Sequence, residues 1–239
     1  DLITTFSRDI GMEFGQAKCA YAVVKRGKVV RSNEKLEING LALSPLSENE
    51  GYKYLGLDET LAYDGPLNVA RVTKEYLRRV RKIWSSELSA VNKTIAHNAF
   101  AIPVLTPTFG LLPWTIHELK KLDVETRKLL CATGNFHVNG DIDRLYIPRT
   151  DRGRGLKSAY SSYQVRIISL YQHLVKSDRR NPFLKEVIGN EREGLVLIAE
   201  KLMESFGMRY DPSVDPSSAG KVATRAIIER HKAAIRAKR

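Results

Sequence analysis

The pattern of the sequence changes near Asn68. Before this residue, short β-branched and aromatic runs alternate with glycine-containing turns, whereas after it apolar residues recur every three or four positions over long stretches. The first pattern is typical of short strands joined by hairpins, and the second is typical of amphipathic helices. We therefore expect an α+β fold that is predominantly helical, with a small antiparallel β region followed by a helical bundle and further helices.

The part before Asn68 predicts one helix and several strands. Residues 1–12 carry apolar side chains at helical spacing, and Gly11 provides a C-cap. Arg26-Gly27 and Asn39-Gly40 each separate two β-type runs, so both pairs predict tight turns. Residues 52–57 are expected to form one more short strand.

A long basic helix is predicted from about Asn68. Its buried face is predicted to hold Val69, Val72, Tyr76, Val80 and either Ile83 or Trp84. The remaining positions of this helix include six basic residues and only one acidic residue, Glu75. A merely solvated face usually mixes signs to form i,i+4 pairs, so phosphate contact is the better interpretation, and a solvated face is the alternative. The bases are Arg71, Lys74, Arg78, Arg79, Arg81 and Lys82.

Further helices are predicted along the rest of the chain. A second helix at residues 86–104 is expected to turn its apolar residues inward: Leu88, Val91, Ile95, Ala99 and Ile102. Thr115 and Glu118 have the spacing of a capping box and predict a third helix that ends near Gly134. We expect a strand at residues 145–147, helices at 158–175, 181–189 and 192–206, a linker at 211–218 and a final basic helix at 220–238.

A basic loop is predicted at residues 148–155. Arg149, Arg152 and Arg154 alternate there with Gly153 and Gly155. Glycines allow a backbone to approach a phosphate closely while guanidinium groups hold it. The loop is therefore a second candidate for phosphate binding, and a plain surface loop is the alternative.

Composition restricts the class of protein and its partners. The 239 residues include 43% hydrophobic and 28% charged residues, which is typical of a folded chain. The net charge of +12 favours a polyanionic partner, with nucleic acid first and an anionic membrane surface second. Two cysteines suggest a reducing intracellular compartment. No apolar run approaches the roughly 20 residues that a membrane-spanning helix needs.

Several motifs in order resemble a known family. GMEFGQAKC at residues 11–19, followed by GYKYLGL at residues 51–57, resembles palm motifs D and E of a reverse transcriptase. AIPVL at 101–105, FG at 109–110, ELKKLD at 118–123 and LYIPRTDRGRGL at 145–156 resemble the region after the palm in non-LTR, LINE-type retrotransposon polymerases. The resemblance covers the chain to about residue 190. It implies the C-terminal part of the palm at 1–62, a helical thumb at 63–140 and a basic post-thumb region at 141–239.

The resemblance also implies roles for particular residues. Lys18 matches the motif D lysine near the incoming nucleotide, where a protonated amine stabilises charge on pyrophosphate and acts as a general acid. Tyr54, Leu55 and Gly56 match the primer grip. The basic helix resembles the thumb helix that contacts the template–primer duplex. The alternatives are a turn lysine in water for Lys18 and sheet core for Tyr54 or Leu55.

The catalytic metal ligands of that family are missing. The Asp-Asp motif that binds Mg²⁺ is absent, so the Mg²⁺ ligands are expected upstream, in a longer protein, and this fragment alone is expected to bind no metal and to be inactive. Five histidines and two cysteines show no zinc-binding spacing.

The implied partners are an RNA template, a DNA primer or target duplex and the upstream fingers and palm, with no membrane and an intracellular, nuclear location. One alternative is a non-catalytic nucleic-acid-binding protein derived from such a polymerase, and another is a basic helical module that binds protein.

Overall fold

The computed structural model describes residues 2–12, 19–26, 28–30, 36–38, 41–46, 52–54, 57–59, 65–178, 194–209, 211 and 215–238. The chain divides into two compact units, Asp1–Asn68 and Val69–Arg239. Helices predominate among the described residues, which agrees with the expected fold class. The identification of residues 1–62, 63–140 and 141–239 as palm, thumb and post-thumb stays a prediction.

The first unit begins with a helix followed by hairpins. Helix α1 spans Leu2–Asp9, and Gly11 follows it with φ +67°, as expected for a C-cap. Strands β2 (Val23–Lys25) and β3 (Lys28–Val30) pair antiparallel around the predicted Arg26-Gly27 turn. Strands β4 (Glu37–Ile38) and β5 (Leu41–Ala42) pair antiparallel around Asn39-Gly40. Both hairpin predictions are confirmed.

Two features of this unit differ from the expectation. Strand β1 (Ala20–Tyr21) pairs with β6 (Ser44–Pro45) in parallel, so the β region is not wholly antiparallel. A parallel pair needs a long connection, and the two hairpins between these strands supply it. Residues 52–57 do not form one strand, because β7 (Tyr52–Tyr54) and β8 (Leu57–Glu59) pair antiparallel with Tyr54 opposite Leu57.

Helix α2 spans Gly65–Trp84 and has the predicted buried face. Tyr76 and Val80 are fully buried, and Trp84 rather than Ile83 completes the stripe. The Tyr76 hydroxyl shares a 3.0 Å hydrogen bond with Thr126 Oγ1, so the stripe packs towards the third long helix described below.

The second predicted helix is present, but the prediction of which residues point inward is wrong. Helix α3 (Ala90–Ala96) starts at the N-cap Ser89 and continues through a π-helical turn (His97–Ala101) into α4 (Ile102–Leu105). Leu88, Val91, Ile95 and Ala99 are exposed, and only Ile102 of the predicted set is buried. Thr94 and His97 lie inside instead, because each finds a partner: Thr94 Oγ1 donates to the Ala90 carbonyl, and His97 Nδ1 accepts from Trp84 Nε1.

Helix α5 (Ile116–Ala132) confirms the capping-box prediction. Glu118 N donates to Thr115 Oγ1 at 3.1 Å, and Thr115 N donates to the Glu118 carboxylate at 2.9 Å. Gly134 follows the helix with φ +68°, which is the conformation of a C-terminal cap.

The segment after α5 is helical where a strand was expected. Helix α6 (Asp143–Tyr146) replaces the strand predicted at residues 145–147. Asp141 Oδ1 accepts from Asp143 N at 3.1 Å, and this side-chain turn starts the helix. A 3₁₀ turn at Arg149–Asp151 follows, and Leu145, Ile147 and Leu156 are buried.

Three longer helices complete the described chain: α7 (Ala159–Asp178), α8 (Leu195–Ser205) and α9 (Pro216–Ala237). The helix predicted at 181–189 lies outside the described residues. The predicted linker is too long at its C-terminal end, because Pro216 already begins α9. A proline suits that position, where the missing N–H would have no helical partner.

Helix α9 packs against α7 and is joined by ion pairs to α6 and the 3₁₀ turn. A Cβ on Gly220 would lie 2.5 Å from Ser169 Oγ of α7, so the two helices approach closely there. Asp143 contacts His231 Nδ1 at 2.8 Å and Lys238 Nζ at 2.5 Å, and Asp151 contacts Lys232 Nζ at 2.9 Å. Partial burial raises the pKa of Asp143, but hydrogen bonds from Lys238 and His231 outweigh this and lower it overall.

Candidate nucleic-acid interface

The predicted phosphate-binding residues of α2 share one side of the helix. At about 100° per residue they lie within about 60° of the direction opposite Tyr76. We call this surface the cationic face. All of its side chains are exposed except that of Arg71, which is half-buried. The face consists of Arg71, Lys74, Arg78, Arg81 and Lys82.

Glu75 lies at the border of this face and is paired with two arginines. Arg78 donates to both of its oxygens, at 2.6 and 2.8 Å, and Arg79 Nε donates at 2.8 Å. These hydrogen bonds, that from Arg78 first, lower the pKa of Glu75 to about 2. Arg79 also donates to the Phe100 carbonyl at 2.9 Å, so its role is to join α2 to the π-helical turn.

The other exposed cations on the face form no ion pair in the described chain. Within the described part of the chain, no ion pair or hydrogen bond engages the side-chain nitrogens of Lys74, Arg81 or Lys82. Repulsion among unpaired like charges on one helix is unfavourable by itself. A polyanion would relieve that repulsion.

The positive surface extends onto α5. Lys128 Nζ contacts Glu125 at 2.8 Å and is the first cause of the lowered pKa of that carboxyl, and Lys121 and Arg81 of α2 contribute as well. Lys121 and Lys128 are exposed and were not predicted as site residues. The sequence signal was weak, because only the packing of α5 beside α2 brings them near Arg81.

The basic loop has a more structural character than expected. A Cβ on Gly153 would lie 2.1 Å from the Ile147 carbonyl oxygen, so this glycine is required by the loop's own packing. Arg154 Nη1 donates to the Asn135 carbonyl, and its guanidinium lies 5.7 Å from the centre of the Phe136 ring. Arg149 and Arg152 are exposed, the latter with φ +62°.

Two asparagines connect the loop to the rest of its unit. Asn98 Nδ2 donates to the Gly155 carbonyl at 2.8 Å, and Asn98 Oδ1 accepts from Lys157 N at 2.9 Å. Asn135, which accepts from Arg154, also donates to the Trp84 carbonyl at the end of α2 at 3.4 Å. The structure therefore links Arg154 through one residue to the C-terminal end of α2.

The remaining predicted site residues cannot be placed together. Lys18, Leu55 and Gly56 lie outside the described residues, and Tyr54 is described as the last residue of β7. Their roles stay predictions.

Two buried polar groups near the interface are structural. Asp123 of α5 accepts hydrogen bonds from Ser158 Oγ at 2.8 Å, Ala159 N at 2.7 Å and Tyr160 N at 3.2 Å, and so caps the start of α7. Burial raises the pKa of Asp123, and these hydrogen bonds oppose the rise. Burial lowers the pKa of His97 to about 4, so the ring is neutral near pH 7.

Neither a metal cluster nor a membrane-spanning helix is found in the described ranges. No three or more His, Cys, Asp or Glu side chains gather there in a way that could hold a metal ion. None of the described helices has the length and apolar composition to cross a bilayer. Comparison with protein-family models, curated proteins and solved structures finds no significant match to this chain.

Proposed function

We propose that this chain is the C-terminal palm and thumb part of a non-LTR retrotransposon reverse transcriptase, and that the cationic face of α2 holds the primer–template duplex. The observation that carries the proposal is the cationic face, where Lys74, Arg81 and Lys82 are exposed and unpaired in the described chain. Cations in a row along a helix suit a duplex backbone, which presents phosphates at regular intervals. Such contacts position the duplex without reading its bases.

The proposal gives the N-terminal unit the chemical step. Lys18 stabilises the charge that develops on pyrophosphate, and Tyr54, Leu55 and Gly56 hold the primer. Mg²⁺ would be held by aspartates outside this chain and would supply the two-metal chemistry of nucleotidyl transfer.

Duplex binding tests the contact with nucleic acid. Fluorescence anisotropy of an RNA–DNA hybrid of about 20 base pairs is measured at increasing salt. Three phosphate contacts, from Lys74, Arg81 and Lys82, predict a loss of affinity of about 40-fold between ~50 and ~200 mM salt. An affinity that does not change with salt would favour the protein-binding module and contradict the proposal.

Activity separates a polymerase from a non-catalytic nucleic-acid-binding protein. The parent polypeptide that contains this chain is assayed on a primed RNA template, with Lys18→Ala as the variant and Lys201→Ala, an exposed lysine of α8, as the control. Loss of a general acid predicts a slowing of about 100-fold or more for Lys18→Ala only. An equal rate for wild type and Lys18→Ala would remove the proposed role of Lys18, and a parent polypeptide with no activity would favour the non-catalytic alternative.

A further inference from the structure

A cavity of about 510 Å³ lies within the second unit, and none of its described lining residues belongs to the cationic face. Its walls come from the α4 segment, the chain from Tyr146 to Ser158, one face of α7 and one face of α9. This volume is within the range of small-molecule sites, about 300–1,000 Å³. The wall nearest the basic loop includes Pro148 and Gly155, which are the first and last residues of that loop.

Positive charge at this cavity is uncompensated. Lys157 and Arg166 line it and are exposed, and in the described part of the chain no ion pair or hydrogen bond engages their side-chain nitrogens. None of the described lining residues is acidic. Asp143 and Asp151, which lie on the segments leading into the wall, are already engaged by His231 and Lys232 of α9 and by Lys238, which follows it. The cavity therefore favours an anion.

Hydroxyl groups follow one face of α7 into the cavity. Helical spacing places Ser158, Ser162, Arg166 and Ser169 on the same side. The hydroxyls of Ser162 and Ser169 have no hydrogen-bond partner in the described chain, so both are available to a ligand. A fatty acid would leave them unpaired over the length of its alkyl chain, and that is unfavourable for partly buried polar groups.

Apolar and aromatic groups complete the walls. Ile102, Leu156, Val165 and Ile227 supply apolar surface, and Tyr146 supplies an aromatic side chain. The Tyr146 hydroxyl accepts from Arg127 Nη1 at 2.9 Å, and burial raises its pKa to about 12, so the phenol is neutral. An aromatic side chain beside apolar walls suits a nucleobase, which stacks on such groups.

We infer that this cavity binds a nucleoside phosphate unit, with its phosphate at Arg166 and Lys157 and its sugar and base against the hydroxyl and apolar walls. The anion site stands on the geometry alone, whereas the choice of a nucleotide among phosphate esters rests on the proposed function. The unit comes either from a free nucleotide or from the phosphorylated end of a single strand.

The test measures binding of nucleoside monophosphates by calorimetry, and of a short single-stranded oligonucleotide with or without a 5′-phosphate by anisotropy. Arg166→Gln removes the charged partner, and Lys221→Gln, an exposed lysine of α9 outside the cavity, is the matched control. Ser162→Leu fills part of the cavity, and thermal melts establish that each variant is folded. Because Arg166 is exposed, its replacement is expected to leave folding intact.

The expected result is nucleotide binding that weakens about tenfold or more in Arg166→Gln and Ser162→Leu and is unchanged in Lys221→Gln. Tighter binding of the free nucleotide or of the phosphorylated oligonucleotide identifies the source of the ligand. No binding at millimolar concentration, an affinity in both cavity variants equal to that of the wild type, or equally strong competition by inorganic phosphate or a phosphoserine peptide would overturn the inference. Duplex binding by the cationic face is measured separately, so a failure of the nucleotide-binding proposal can be distinguished from a failure of the duplex-binding proposal.

Discussion

His97 makes the stability of the second unit depend on pH in a defined window. The ring is fully buried between Tyr76 and Trp84, with ring centroids 6.0 and 6.2 Å away. Nδ1 accepts from Trp84 Nε1 at 3.4 Å, so the proton of the neutral ring is on Nε2, which makes no hydrogen bond of normal geometry among the described residues. A weaker interaction with the backbone of Lys157 raises the pKa of the ring, and burial outweighs it. Protonation would place a charge in this buried site, which is why burial lowers the pKa to about 4.

The magnitude follows from linkage. A histidine with a depressed pKa in the folded state stabilises the fold above its unfolded pKa of about 6.5, and this contribution is lost as the pH falls through the folded pKa. Between about pH 8 and pH 5, a shift from about 6.5 to about 4 predicts a loss of about 2 kcal/mol in the free energy of unfolding. The loss approaches about 3 kcal/mol when both states are protonated.

The assay is guanidinium unfolding at several pH values for the wild type and for His97→Phe. Phenylalanine retains a ring against Tyr76 and Trp84 but cannot be protonated. The difference between the two pH profiles should be about 2 kcal/mol at about pH 5. Above about pH 5 the carboxyl of Glu75, with its pKa near 2, contributes little change. Parallel profiles for the two proteins would refute the reasoning.

Two further substitutions test the packing that positions the site. Asp123→Ala should lower the free energy of unfolding by about 3 kcal/mol, because three donors at the start of α7 lose their acceptor. Asp123→Asn should lower it less, and denaturant midpoints near pH 7 that are equal for Asp123→Ala and wild type would contradict the capping role. Gly153→Ala should cost about 2–3 kcal/mol from the clash with the Ile147 carbonyl. Gly207→Ala, at φ +65° with open space around it, should cost only about 1 kcal/mol of backbone strain, and equal melting temperatures for the two would show that the clash is relieved easily.

Local patterns predicted the elements whose residues follow simple rules. The buried stripe of α2 and the capping box of α5 were predicted correctly, since both depend on residues within four positions of each other. The polar Thr94 and His97 are buried in the α3–α4 segment in place of the predicted apolar residues, and the burial of His97 depends on a partner on α2. Sequence periodicity contains neither fact.

In the candidate site too, local sequence patterns predicted some features, whereas others depend on tertiary packing. Helical spacing alone brings the cationic face together, whereas the contribution of Lys121 and Lys128 depends on how α5 packs beside Arg81. The glycines of the basic loop were attributed to phosphate approach, but Gly153 is needed for contact with the Ile147 carbonyl. Arg154 likewise bonds to Asn135, a contact that the local sequence does not contain.

The salt dependence of DNA-duplex binding tests the central claim most directly. Each phosphate contact contributes about −0.9 to the slope of log affinity against log salt concentration. Replacing Lys74 and Arg81 together by glutamine should therefore reduce the magnitude of the slope by about 2. The control is the double variant Lys201→Gln with Lys221→Gln, which removes the same charge from exposed positions on α8 and α9. It should leave the slope nearly unchanged. The same slope for the wild type and the Lys74 and Arg81 variant would contradict the account that the cationic face of α2 contacts nucleic acid.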